Sequence, residues 1–277
     1  MLCPYDCARG GNGERGNEVA EMLLPRSRED ARAQRIKLGR IFLAAEWRDL
    51  VMLNYEVDPR LLREYAPRGT ELDSFGGRTL VSLVGFRFLR TKLFGALPVP
   101  FHANFDEVNL RFYVRRRDSG GEIRRGVVFI REIVPKRAVA WLARLAYGEN
   151  YVRYPMRHRV SANGAGAAAE YEWRMRGNWA RLHAEAAGEP VLPVEGSMEQ
   201  FITEHYWGFS RQRNGGTVEY QVTHPQWRVW RGASGGFEGD GAALYGDAFG
   251  EVLRRAPDSA FIADGSPVVV FKGERIA

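Results

Sequence analysis

The sequence is poor in the residues that carry the commonest chemistries. Its two cysteines, Cys3 and Cys7, stand near the start of the 277-residue chain in a Cys-x-x-x-Cys spacing. No second Cys or His pair lies near them to complete a zinc tetrahedron, and neither can staple a core. A local disulfide and two free thiols on a tail both remain open. The five histidines, His102, His158, His183, His205 and His224, form no His-x-His or His-x-x-x-His pair, so no metal is expected. His205, beside Tyr206 and Trp207, and His224, before Pro225, read as partly buried residues with satisfied nitrogens. A Gly-x-Ser-x-Gly elbow, a phosphate-binding loop and a dinucleotide fingerprint are all missing. Acyl-enzyme and nucleotide chemistries lose their usual support, and no cofactor is expected. No run approaches the roughly 18 apolar residues of a membrane span, and the N-terminus is polar where a secretory signal would be apolar. A cytoplasmic protein without a membrane partner is the expectation.

Lysine is scarce too. Of forty basic residues only Lys37, Lys92, Lys136 and Lys272 are lysines. A lysine can lose its proton and an arginine cannot, so a lysine kept in an arginine-rich chain is a candidate for amine chemistry, with chance as the alternative. The net charge of +6 and pI near 9.5 would ordinarily raise nucleic acid or anionic lipid as a partner. The distribution argues otherwise. Arginines alternate with glutamates, and the dense clusters, Arg115-Arg116-Arg117 and Arg124-Arg125, flank one apparent turn. A solvated hairpin tip accounts for them, and no nucleic-acid partner is expected.

What is present is a β pattern in a chain long enough, at 45% hydrophobic content, to bury a full core. Residues 1–40 are polar and charged, with only Val19 to Leu24 helical in character, and read as a partly disordered extension. Residues 41–277 read as a single β-rich domain of the mostly-β or α+β class. Strands are expected at Leu50–Val57, Thr79–Leu89, Val108–Val114, Gly126–Ile133, Tyr151–Val160, Ala168–Met175, Ala180–Ala184, Tyr206–Arg211 and Val218–Val222, then Arg228–Trp230, Phe261–Ile262 and Val268–Phe271. Gly76-Gly77 and Gly120-Gly121 mark turns, while Asn163-Gly164, Asn214-Gly215 and Asp264-Gly265 are hairpin dipeptides that favour antiparallel pairing. Short helices are expected from Asp58-Pro59 to about Tyr65, from Pro135 through Ala146, after a capping box of Ser197 and Gln200, and from Asp247 to before Pro257.

Several stretches carry a family resemblance: Ala45-Glu46-Trp47-Arg48, Val81-Ser82-Leu83-Val84-Gly85-Phe86, Phe105-Asp106-Glu107-Val108-Asn109-Leu110-Arg111, Glu204-His205-Tyr206-Trp207, Val222-Thr223-His224-Pro225 and Gly265-Ser266-Pro267-Val268. Over about residues 43–272 the chain resembles the bacterial YqjF-like family, within the acetoacetate decarboxylase-like superfamily. That resemblance implies an antiparallel conical β-barrel with peripheral helices and a central apolar cavity. In decarboxylases of the superfamily an Arg-Glu-x-x-x-Pro-Lys-Lys motif supplies the Schiff-base lysine. Arg131-Glu132-Ile133-Val134-Pro135-Lys136-Arg137 is similar, with one residue fewer before Pro135. By that resemblance Lys136 takes the nucleophile's place and Arg137 that of its cationic neighbour. Phe105-Asp106-Glu107 is similar to the stretch holding the superfamily's acidic cavity residue, which makes Glu107 the matching position.

A lysine attacks a carbonyl only when unprotonated, so a nucleophilic Lys136 needs its pKa lowered from about 10.4. Arg137 and the first turn of a helix opened by Pro135 both disfavour a second positive charge. Activation by a neighbouring cation is how acetoacetate decarboxylase prepares its lysine, and it is carried here by analogy. Glu107 shares a strand face with Asn109 and Arg111, the alternate positions being apolar. If that face lines a cavity, the three can orient a substrate or move a proton; if it meets water, they form a surface ladder. The candidate set is therefore Lys136, Glu107 and Arg137 as catalytic residues, with Arg131, Glu132, Asn109 and Arg111 binding a substrate. The function expected is a cavity protein for a small organic acid or ketone, with Schiff-base chemistry at Lys136. The alternative is a non-catalytic ligand-binding or interaction barrel in which Lys136 and Arg137 hold an anion.

Overall fold

Alternation in the strands decides the architecture, because the longest of them, such as residues 80–93 and 105–117, bury side chains on both faces. The computed structural model describes residues 41–98, 103–135 and 150–276. The N-terminal extension with Cys3 and Cys7, His102, and the segment expected to be helical after Pro135, including Lys136 and Arg137, lie outside the described residues. The chain runs β1 (Ile41–Glu56), a 3-10 turn (Pro59–Leu61), β2 (Glu71–Leu72), β3 (Leu80–Leu93), β4 (Leu97–Pro98), β5 (Phe105–Arg117), β6 (Ile123–Val134) and β7 (Tyr151–Arg153). It continues through β8 (Met156–Asn163), β9 (Gly166–Met175), β10 (Asn178–Ala187), α1 (Met198–Thr203), β11 (Trp207–Arg211), β12 (Thr217–Thr223), β13 (Val229–Trp230) and β14 (Ser234–Glu238). Last come α2 (Gly241–Tyr245), α3 (Asp247–Arg254), β15 (Ser259–Phe271) and β16 (Glu274–Arg275). The protein is mostly β with few helices.

Among the described residues, twelve strands form one sheet in the order β13-β15-β1-β3-β5-β6-β11-β12-β16, with β2, β4 and β7 on its flanks. Val222↔Val270 and Thr223↔Val269 also pair β12 with β15, so the path from β15 through β1, β3, β5, β6, β11 and β12 returns to its start. Most pairings are antiparallel, as expected, but β6 runs parallel to β11 and to β7. The second sheet is β14-β10-β9-β8.

The second sheet lays its alternate residues Ala169, Tyr171, Trp173, Leu182 and Ala184 over one face of the large sheet. There they join Val51 and Leu53 of β1, Leu83 of β3, and Val108, Leu110 and Phe112 of β5. The opposite face of the large sheet carries Met52, Val84, Phe86, Phe105, Tyr113 and Val127, against which α1 packs Phe201 and Ile202. Each such large apolar side chain contributes on the order of 1.5–3 kcal/mol when fully buried. β5 thus feeds two cores, its even-numbered side chains entering one and its odd-numbered ones the other. We call the second the inner face.

Three expectations are corrected. The helix after Asp58 is only a 3-10 turn, capped by the Asp58 carboxylate accepting from the Arg60 amide. Tyr151–Val160 is not one strand, since Pro155 has no amide for a ladder and separates β7 from β8. Asp264-Gly265 is not a hairpin turn but lies inside the continuous strand β15, with Gly265 opposite Arg48 and at a φ of 76°. The Asn163-Gly164 and Asn214-Gly215 hairpins form, joining β8 to β9 and β11 to β12. Ser197 caps α1 by accepting from the Gln200 amide at 3.2 Å, while the Gln200 side chain accepts from the Gly196 amide.

Candidate functional site

The inner face of β5 is where polar residues are buried in company. Glu107, Asn109 and Arg111 are 3%, 2% and 8% exposed, so the alternation that sequence left between cavity and solvent is an interior one. Asn109 Nδ2 donates to Glu107 Oε1 at 3.0 Å, and the Tyr151 hydroxyl donates to Glu107 Oε2 at 3.5 Å. Asn109 lies directly across the ladder from Glu132, which is 1% exposed and in turn pairs with Tyr151 of β7. Three adjacent strands therefore converge two carboxyl groups, an amide and a phenol on one face. Two carboxyls in an apolar interior must be hydrogen-bonded and neutralised by a proton or a cation.

A β-bulge decides which neighbours join them. The β5–β6 register passes from Leu110↔Arg131 to Arg111↔Phe129, leaving Ile130 as the extra residue. Beyond the bulge Glu132 faces inward, while Arg131 turns to the other face and its Nη1 donates to the Leu244 carbonyl. Arg131 is thus not brought to the cluster, and Glu132 is. Arg111 shares the cluster's face but reaches along it, its Nη2 donating to the Ile202 carbonyl at 3.3 Å and its guanidinium lying 5.8 Å from the Tyr113 ring centre. Lys136 and Arg137, outside the described residues, follow the end of β6 by two and three positions in the sequence.

A second buried polar network has no signal in the sequence, because its members come from distant elements. His205 Nε2 is 3.6 Å from Asp73 Oδ2, which Arg125 Nε approaches at 3.3 Å. The Tyr113 ring lies 4.7 Å from the His205 ring, and the Tyr113 hydroxyl is 2.6 Å from Ser82 Oγ. Ser82 donates to Asn54, and Asn54 to Ser259 Oγ. The expectation that His205 has satisfied nitrogens fails: among the described residues neither ring nitrogen has a hydrogen-bond partner. Burial drives the His205 pKa below its ordinary value against the opposing pull of Asp73. Burial would raise Asp73, but His205, Arg125 and the Ser74 amide together hold it below the usual carboxylate range.

His224 is satisfied as expected, Nδ1 donating to the Pro225 carbonyl at 2.8 Å and the ring stacking on Trp227 at 4.3 Å. Burial pushes its pKa down to about 4. Between about pH 6.5 and 4 the unfolded chain therefore binds a proton that folded His224 does not, so stability falls as pH drops through that window, and the lowered His205 pKa acts in the same direction. Asp73 acts in the same direction only at lower pH, where unfolded carboxylates take up protons. Thermal melting at pH 7 and pH 4.5 is expected to show this fall, and His224→Phe to reduce it; an equal fall in the variant would assign the effect elsewhere.

All but one of the clustered arginines at the β5–β6 hairpin are paired with acids, Arg117 Nη1 donating instead to the Gly121 carbonyl at 2.7 Å. Arg115 meets Glu71, Arg116 and Arg124 share Glu219, Arg124 also meets Asp118, and Arg125 meets Asp73. No helix among the described residues is long and apolar enough to cross a membrane.

A fold of this kind, a mostly-β protein with acids gathered on an inner face, has known counterparts. The chain belongs to the DUF2071 family, described as an uncharacterized conserved protein, whose model matches residues 44–267. The uncharacterized protein YqjF of Bacillus subtilis (strain 168) is 25% identical over 171 residues, 61% of this chain and 67% of that protein. Among solved structures, acetoacetate decarboxylase from Legionella pneumophila superposes with a TM-score of 0.61 at 14% identity, covering 85% of this chain and 87% of its own. The enduracididine biosynthesis enzyme MppR, complexed with pyruvate, gives 0.61 at 13% identity, with 85% and 90% covered. An acetoacetate decarboxylase-like enzyme from Sphingomonas wittichii RW1 gives 0.59 at 13%, with 86% and 94% covered. At these identities the likeness is one of fold, and the resemblance read from the sequence motifs is borne out at that level.

Proposed function

We propose that the large sheet is a closed barrel whose inner face binds a small organic acid or ketone, and that Lys136 forms a Schiff base with the ligand's carbonyl. The observation that carries this reading is the convergence of Glu107, Asn109, Glu132 and Tyr151 on the inner face at the end of β6, two positions before Lys136 in the sequence. The β12–β15 pairing that returns the strand path to its start supports closure. The fold relatives named acetoacetate decarboxylase, and the one complexed with pyruvate, support the ligand class.

In this reading the Lys136 amine attacks the carbonyl carbon, the carbonyl oxygen leaves as water after two proton transfers, and the imine remains. Glu107, held by Asn109 and Tyr151, is the group placed to give and take those protons. Arg137 lowers the lysine's affinity for its own proton, and the carboxylates raise it, so the acids must share a proton for the amine to be free at neutral pH. Positioned proton transfer contributes about 10²–10⁴-fold to a rate. Glu107→Gln, which keeps the shape and the hydrogen bond from Asn109, is therefore expected to slow imine formation with acetoacetate about a hundredfold, followed by borohydride trapping at fixed times. An unchanged trapping rate would separate the acidic cluster from the chemistry and favour a non-covalent binding barrel.

A further inference from the structure

A guanidinium buried without an anion is costly, because the charge loses its hydration and gains nothing in return. Arg111 is in that state. It is buried on the inner face, its one hydrogen bond goes to the Ile202 carbonyl, and its Nε has no partner. Its remaining contact is with the face of Tyr113. Glu107 lies on the same strand face but gives its oxygens to Asn109 and Tyr151, and no carboxylate of the described residues pairs with Arg111. Arginines nearer the surface differ: Arg116 and Arg124 meet Glu219, and Arg125 meets Asp73.

The field of Arg111 reaches both His205 and His224. His205 is packed on the same Tyr113 ring. A planar anion with two oxygens fits the unused Nε–H of a guanidinium better than any neutral group, since charge-assisted and forked hydrogen bonds are the strong ones.

We infer that Arg111 selects the ligand of the inner face, holding the carboxylate of a small organic acid and disfavouring neutral ketones and esters. The inference rests on the inner face being a ligand site, but not on imine chemistry at Lys136. Arg111 is a specificity residue here, and Lys136 would act on the carbonyl of the same molecule.

Titration calorimetry of the full chain with acetoacetate and pyruvate, set against methyl acetoacetate and methyl pyruvate, tests this. The wild-type chain is expected to bind the acids roughly tenfold to a hundredfold more tightly than their esters, the worth of one or two hydrogen bonds to a charged group. Arg111→Met is expected to erase that preference, and its ligand-free Tm to equal or exceed the wild-type value because an uncompensated charge has been removed. Arg111→Lys, which keeps the charge but loses the fork, is expected to retain the fold and lose about tenfold in acid affinity. Lys136→Arg is expected to keep the preference intact, which separates this inference from the Schiff-base reading. Equal binding of acids and esters by the wild-type chain, binding of neither, or a preference that survives in Arg111→Met would overturn it. So would an Arg111→Met chain that fails to fold, since that outcome would make Arg111 a structural strut.

Discussion

Lys136→Arg is expected to abolish borohydride-trappable adducts completely while leaving non-covalent acid binding within a few-fold of the wild-type value. Arginine keeps the positive charge and much of the length of lysine, so an electrostatic role survives the change. Its guanidinium stays protonated at every working pH and cannot form an imine. The two roles that sequence allows for this residue, nucleophile and anion holder, therefore predict opposite results in one variant. Parallel trapping and calorimetry on the same preparation read both. Loss of trapping with retained binding supports the nucleophile, whereas an adduct that persists in the variant would move the chemistry to another amine.

The second large effect concerns the frame that holds the inner face. Gly265→Ala is expected to lower stability by about 3 kcal/mol, combining on the order of 1–2 kcal/mol for a left-handed backbone with 1–3 kcal/mol for overpacking. At a φ of 76°, an added Cβ would stand 2.0 Å from the Trp47 carbonyl oxygen and 2.8 Å from Leu50 Cδ1. The first of these belongs to the backbone of β1 and cannot swing away. Gly215, at a φ of 82° in the β11–β12 hairpin, has nothing within 4 Å of the same added atom. Gly215→Ala bears only the conformational cost and serves as the control. A domain of this size loses about 2–4 °C of Tm per kcal/mol, so thermal melting should place the Gly265 variant roughly 6–12 °C below wild type and the Gly215 variant clearly between them. Equal shifts would mean that close approach of β1 and β15 contributes nothing.

Gly265 also marks the limit of what the sequence could say about the fold. An Asp-Gly pair between two apolar runs reports a left-handed backbone, and a hairpin is its commonest use. Here the same geometry kinks one long strand against β1, a choice made by pairing with distant residues that no local pattern records. The alternation around Glu107 was legible for the same physical reason in reverse: period two is a property of the strand itself, so Glu107, Asn109 and Arg111 had to share a face. Which face was interior depended on the sheet that covers the other side. The same period puts the neighbours Arg131 and Glu132 on opposite faces, but which of them meets Asn109 was not legible, because the single bulged residue Ile130 resets the register of β6 against β5. His205 and Asp73 meet only through the topology, and nothing near either residue announces the other.

The histidines and Arg111 give the interior an electrostatic character that composition hides. The net charge of +6 suggested a basic surface, yet Arg115, Arg116, Arg124 and Arg125 of the β5–β6 hairpin are spent on Glu71, Asp73, Asp118 and Glu219. Arg111, buried on the face that also holds Glu107, has no anionic partner among the described residues.

The central claim is that the amine two positions beyond β6 reacts with a carbonyl ligand. Incubating the full chain with acetoacetate and borohydride, digesting it and mapping the reduced adduct by mass spectrometry tests that claim most directly. The prediction is a single modified lysine, Lys136, with Lys37, Lys92 and Lys272 unmodified under the same conditions. An adduct spread over the four lysines, or none on any of them, would contradict it.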